Sequence, residues 1–154
     1  MCYCMLMIGF IYIIKKWMVQ CPMVGKKSEL TIITKAKELT DYIFVATESS
    51  PKKYRYTFTA RLQNKSLEVV ETLYAANDVY IGGGESSKRY ERRLDLQHKA
   101  LTDLKVIDYL SFVASERGCL LKRQYEHLSE LISDCSNLLG AWINSDKKRF
   151  ASRT

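Results

Sequence analysis

Apolar residues recur along this chain in steps of three and four, the spacing of one face of an α-helix. Ile32, Ala36, Leu39, Ile43 and Ala46 form the first such stripe, with Ser28 placed as an N-cap and Ser49-Ser50-Pro51 as its end. A second helix runs from about Tyr54 to Tyr80 with Phe58, Leu62, Ser66, Val69, Leu73 and Ala76 on its inner side. Leu67, Val70 and Tyr74 widen that stripe, so the second helix has apolar surface to bury against neighbouring helices or against another subunit. Gly82-Gly83-Gly84 then breaks the pattern.

Ser86 or Ser87 can cap a third helix reaching about Arg117, with Leu94, Leu101, Leu104, Ile107, Leu110 and Ala114 inward and Gly118 as its stop. The fourth stripe is the cleanest: Tyr125, Leu128, Ile132, Cys135, Leu139 and Trp142. Short connections make successive helices antiparallel, so the pattern predicts an all-α, up-down-up-down four-helix bundle. The bundle domain is expected over residues 26–146, followed by a basic tail over 147–154.

Composition agrees with one helical domain. The chain has 154 residues with only two prolines and seven glycines, enough length to bury a core without metal or disulfide support. Residues 1–25 stand apart as an apolar extension. Met1 to Ile14 is almost wholly apolar, but Lys15-Lys16 stops the run short of the roughly 20 residues a membrane span needs. No positive segment precedes it, which makes it a poor signal peptide, and a start at Met18 or Met23 is the preferred reading. The five cysteines, at 2, 4, 21, 119 and 135, follow no disulfide or zinc spacing with His98 or His127. A reducing cytoplasm is expected, with no metal or cofactor, and Cys135 as a small buried hydrophobe.

Charge changes the picture. The formal net charge is +7 and the pI near 9.1, a balance that favours an acidic partner. More telling is where the cations fall. Lys52-Lys53-Tyr54-Arg55 opens the second helix, and a Lys or Arg in a first turn loses about 0.3–1 kcal/mol that an acid would contribute there. Alternating Tyr with cations would give a polyanion both charge and stacking surface. Lys88-Arg89-Tyr90-Glu91-Arg92-Arg93 repeats the arrangement at the start of the third helix.

In an antiparallel bundle these clusters lie at opposite ends, the first near Arg117 and Lys122-Arg123, the second near Lys147-Lys148-Arg149. Acids such as Glu68, Glu71, Asp103, Glu130 and Asp134 fall in the helix middles, giving two basic poles and a more acidic waist. The candidate nucleic-acid-binding residues are Lys52, Lys53, Tyr54, Arg55, Arg61, Lys65, Lys88, Arg89, Arg92 and Arg93.

Catalytic chemistry has little foothold. The Gly82 to Ser87 loop lacks the Gly-Lys-Ser/Thr ending and preceding strand of a nucleotide-binding loop, and is better taken as a linker. Arg93-Leu94-Asp95-Leu96-Gln97-His98 has the Arg-x4-His spacing of the HEPN-class helical ribonucleases, in which Arg93 would stabilise phosphoryl charge and His98 move a proton. Leu94 departs from that class, which usually has a polar residue there.

A wider likeness rests on several segments together. These are Ser50-Pro51-Lys52, Tyr56-Thr57-Phe58 and Arg61-Leu62, then Leu67-Glu68-Val69-Val70-Glu71, Arg123-Gln124-Tyr125-Glu126 and Leu138-Leu139-Gly140-Ala141-Trp142. From about Leu30 to Ser145 the chain resembles the accessory variability determinant proteins of diversity-generating retroelements, four-helix-bundle proteins related to the ribosomal intervening-sequence family. The resemblance implies a non-enzymatic protein that assembles as a pentameric barrel. It implies that a basic surface binds the element's reverse transcriptase and template RNA, or DNA, in support of mutagenic cDNA synthesis and retrohoming. No small-molecule substrate is expected, and the alternative reading is a four-helix interaction protein of the intervening-sequence group with no assigned role. The apolar N-terminal extension and the glycine-rich stretch from Gly82 to Ser87 depart from the family pattern.

Overall fold

The computed structural model describes residues 30–81 and 86–152. The expected cap at Ser28 and the apolar extension lie outside them. Four long helices carry the fold: α1 Thr31–Glu48, α2 Ala60–Asp78, α3 Ser86–Glu116 and α4 Lys122–Ala151. No strand occurs among the described residues.

Cross-helix contacts fix the topology. Thr40 and Thr47 of α1 meet Ser66 and Gln63 of α2, so higher numbers on one helix face lower numbers on the next. The same reversal holds between α2 and α3 (Lys65 with Asp103, Thr72 with Lys99) and between α3 and α4 (Gln97 with Asp146, Phe112 with Tyr125). Gln124 Nε2 donating to the Ala46 carbonyl, and Tyr42 edge-on to His127, close α4 back onto α1. This is the expected antiparallel four-helix bundle. Its core is built from the predicted stripes, with Ile43, Leu62, Leu73, Leu104, Ile107, Leu128 and Leu139 buried at its centre.

The connections are well made. Ser50 Oγ donates to the Cys119 carbonyl at 3.0 Å, tying the α1–α2 link to the α3–α4 link. Gly118, at φ +68°, ends α3 as expected: Cys119 N–H bonds to the Ala114 carbonyl and Gly118 N–H to that of Ser115, a Schellman motif. Only glycine takes that φ without strain. Leu121 is the N-cap of α4, and its N–H donates to Gln124 Oε1 at 2.8 Å.

Two boundaries differ from expectation. The second helix is not α-helical from Tyr54; a short 3₁₀ turn (Lys52–Tyr54) and a π turn (Arg55–Thr59) precede α2. The chain there is held at two points, since Tyr54 bonds to the end of α3 and Phe58 packs on the core, and the wider turn spans the interval. At the other end Lys147, Lys148 and Arg149 continue α4 instead of forming a separate tail, because Asp146 is buried and Phe150 stacks on Tyr90. Cations suit a helix C-terminus.

Candidate nucleic-acid interface

At the first pole, Pro51 starts the 3₁₀ turn, and its fixed φ suits the entry. Lys52, Lys53 and Arg55 stand exposed on the two irregular turns, and Arg61 follows on the first turn of α2. The aromatics divide sharply. Tyr54, expected as an exposed stacking surface, is half-buried: its hydroxyl donates to the Arg117 carbonyl at 2.9 Å and its ring lies edge-on to Phe58, centroids 5.6 Å apart. Lys53 Nζ sits 4.7 Å from the same ring, a cation–π contact. Tyr56, two residues on, is 87% exposed. The π turn presents its ring to solvent.

The Tyr54–Arg117 bond brings the end of α3 beside this cluster, and Arg117, Lys122 and Arg123 are exposed. Glu48, Glu116 and Glu126 are exposed at the same end, so the pole is cationic without being uniformly so.

Lys65 behaves differently. Its ammonium bridges Glu68 on its own helix and Asp103 of α3, and the hydrogen bond to Glu68, then that to Asp103, raises its pKa above the usual lysine value. Asp103, itself buried, also accepts from Lys99. Lys65 thus joins α2 to α3 at the waist.

The second pole also splits. Lys88, Arg89 and Arg92 are exposed on the first turns of α3, on the same end as Lys147, Lys148 and Arg149. Tyr90 stacks on Phe150 with centroids 4.3 Å apart and planes nearly parallel. Arg93, counted among the candidate surface cations, points inward. Its Nε pairs with Asp146 Oδ2 at 2.9 Å, one terminal N–H donates to the Val79 carbonyl at 3.2 Å, and the guanidinium lies 4.8 Å from the Trp142 ring centroid. Burial lowers its pKa, yet a guanidinium stays charged. Gln97 Nε2 donates to the same Asp146 oxygen at 2.8 Å.

Gln97 and Asp146 escaped the sequence reading although each sits on an inner stripe, Gln97 between Leu94 and Leu101 and Asp146 one step past Trp142. Polar residues on an apolar seam were the available signal.

The ribonuclease spacing does not assemble a site. His98 lies five positions after Arg93, about 140° around a helix. Arg93 is committed to Asp146, whereas the His98 side chain is exposed. Cys135 is buried as expected, and burial pushes its thiol up to about 12. Among the described residues no cluster of His, Cys, Asp and Glu could hold a metal ion, and no helix is long and apolar enough to cross a membrane.

No curated protein matches the chain. A family model does, the one described as bAvd-like, over residues 30–146. That span takes in all of α1, α2 and α3 and α4 through the buried Asp146, so the match covers the bundle that carries both basic poles. The chain therefore belongs to the bAvd-like family, the accessory variability determinant proteins whose resemblance its helices carry.

Proposed function

We propose that the chain is a non-catalytic accessory protein of a diversity-generating retroelement, holding the element's reverse transcriptase and its template RNA together during mutagenic cDNA synthesis. One observation carries the nucleic-acid part. Exposed Lys52, Lys53 and Arg55 share with Tyr56, 87% exposed, two turns that depart from regular α-helix, and exposed Arg61 follows on the first turn of α2. A π turn is a frequent mark of a functional position, and exposed cations beside an open ring suit a phosphate backbone with accessible bases. Arg117, Lys122 and Arg123 extend that surface; Lys88, Arg89 and Arg92 give the opposite pole a second one.

Self-assembly belongs to the same reading. Leu67 and Tyr74 of α2 are 43% and 39% exposed, Phe44 of α1 is 43% exposed, and Lys37 of α1 lies over the Tyr74 ring. An apolar seam between two helices supports a ring of subunits, a pentamer by family resemblance, with the poles left for partners.

The test is RNA binding across a salt series, by fluorescence anisotropy. The Lys52→Ala/Arg55→Ala double variant should bind more weakly, with a flatter dependence on salt, because fewer counterions are released. Its melting temperature should hold or rise slightly, since two cations leave a helix N-terminus. Unchanged affinity with lost stability would assign the cluster to the fold instead. Co-purification of the reverse transcriptase from the same element checks the protein partner.

A further inference from the structure

Where α2 ends and α3 begins, a cleft of about 520 Å³ is lined by Ala75, Asp78, Val79, Tyr80, Arg89 and Arg92. Its size falls within the roughly 300–1,000 Å³ of small-ligand sites. Tyr80 is 73% exposed, an aromatic ring beside two guanidinium groups. We propose that this cleft holds one unpaired nucleotide of a single-stranded RNA, with the Tyr80 ring stacked on the base and Arg89 and Arg92 on the flanking phosphates.

Three properties favour a single strand. A base can stack on Tyr80 only when its face is open, which stacking between neighbouring pairs in a duplex denies. Guanidinium groups match phosphate oxygens in a planar, two-pronged geometry. Asp78 adds an acceptor that can receive a base N–H.

The wall of the cleft is held from inside the bundle. Val79 N–H bonds to the Ala76 carbonyl at 3.3 Å, and the Val79 carbonyl accepts from Arg93 at 3.2 Å. Arg93 is in turn fixed by Asp146 and Trp142. The inward Arg93 is thus a positioning residue: it sets the backbone beside Tyr80, so that the ring and the outward Arg89 and Arg92 face one space.

This inference rests on the nucleic-acid reading of the poles, and the experiment separates the two. Affinities are measured by anisotropy for a short labelled RNA strand and for the same strand in a duplex. The unmodified chain is compared with Tyr80→Ala, Tyr80→Phe and Lys52→Ala/Arg55→Ala. Tyr80→Ala should weaken single-strand binding about tenfold, Tyr80→Phe should retain it, and duplex binding should be the same in all three, since stacking is what is lost. Circular dichroism should show an unchanged fold, the side chain being exposed. Equal single-strand affinity in Tyr80→Ala, or an equal loss on duplex, overturns the cleft. If only the Lys52/Arg55 variant loses affinity, the cleft falls and the basic-pole reading stands; if the unmodified chain binds neither RNA, both fall.

Discussion

Arg93 of α3 and Asp146 of α4 form an ion pair at 2.9 Å beneath Trp142, where the two helices would otherwise meet through apolar side chains. Their side chains are 13% and 1% exposed, so each charge depends on the other. Asp146→Ala leaves a buried guanidinium without its counter-ion and should destabilise the bundle by on the order of 3 kcal/mol in urea unfolding. Arg93→Met/Asp146→Leu should recover part of that loss, because it removes both charges while leaving the buried Gln97 amide without its acceptor; Arg93 Nε, Gln97 Oε1 and Asp146 Oδ1 already have no hydrogen-bond partner in the network. A double variant as unstable as the single one would show that the pair holds the fold by more than charge balance.

The same pair marks what the sequence could and could not disclose. Helix count, order and direction followed from apolar spacing, since Ile43, Leu73, Leu104 and Leu139 each fall on a stripe that the bundle buries. The ends of the bundle were legible as cationic, but not which cations face outward. Arg89, Arg92 and Arg93 are near neighbours in sequence; only the partners opposite them, Asp146 and the Val79 carbonyl, turn Arg93 inward. Lys65 is likewise claimed by Asp103, a residue on another helix. The irregular start of the second helix was hidden for a related reason: its geometry answers to the Arg117 carbonyl and to the core beneath Phe58, and both are tertiary.

Tyr54 and Tyr56 give opposite predictions from neighbouring positions. Tyr54→Phe removes the hydrogen bond to the Arg117 carbonyl while keeping the ring on Phe58, and should lower stability by about 0.5–1 kcal/mol with RNA affinity unchanged. Tyr56→Ala removes an exposed ring, and should leave unfolding unchanged while weakening RNA binding by about 1–3 kcal/mol. Thermal melts and anisotropy on the two variants measure both quantities, and an effect of Tyr56→Ala on melting alone would remove that ring from the interface.

Cys135 predicts an alkaline weakness. Burial raises its thiol from 9.0 to about 12 in the folded chain, so the protonated form is the one the core accepts. Its contribution is complete below the unfolded pKa. As pH climbs past 9.0 the unfolded chain releases the proton first, and stability falls by up to about 1.4 kcal/mol per pH unit until the folded thiol also ionises. Urea unfolding between about pH 8 and about pH 11 should show a steeper decline for the unmodified chain than for Cys135→Ala. Equal slopes would mean that Cys135 does not carry the loss. The same burial should make Cys135 slow to react with a thiol reagent in native buffer and fast in urea.

The apolar seam of α1 and α2 is the most direct check on the proposed assembly. Leu67 and Tyr74 lie two turns apart on one face of α2, and neither contributes to the buried core. A Leu67→Glu/Tyr74→Glu variant should therefore fold: Tyr74→Glu exchanges the ring under Lys37 for an opposite charge, and surface changes move stability by only about 0.5 kcal/mol. If the seam joins subunits, that variant brings charge into an apolar contact and should shift the mass measured by light scattering toward the monomer, while the unmodified chain runs as a larger species. The basic poles lie at the bundle ends, away from these two residues. A monomeric variant should keep its affinity for a short RNA that one subunit can cover and lose affinity for a long strand that spans several subunits, because linked sites act together only when they are held in one assembly. An unmodified chain that stays monomeric over a wide concentration range would leave the seam without a role in assembly.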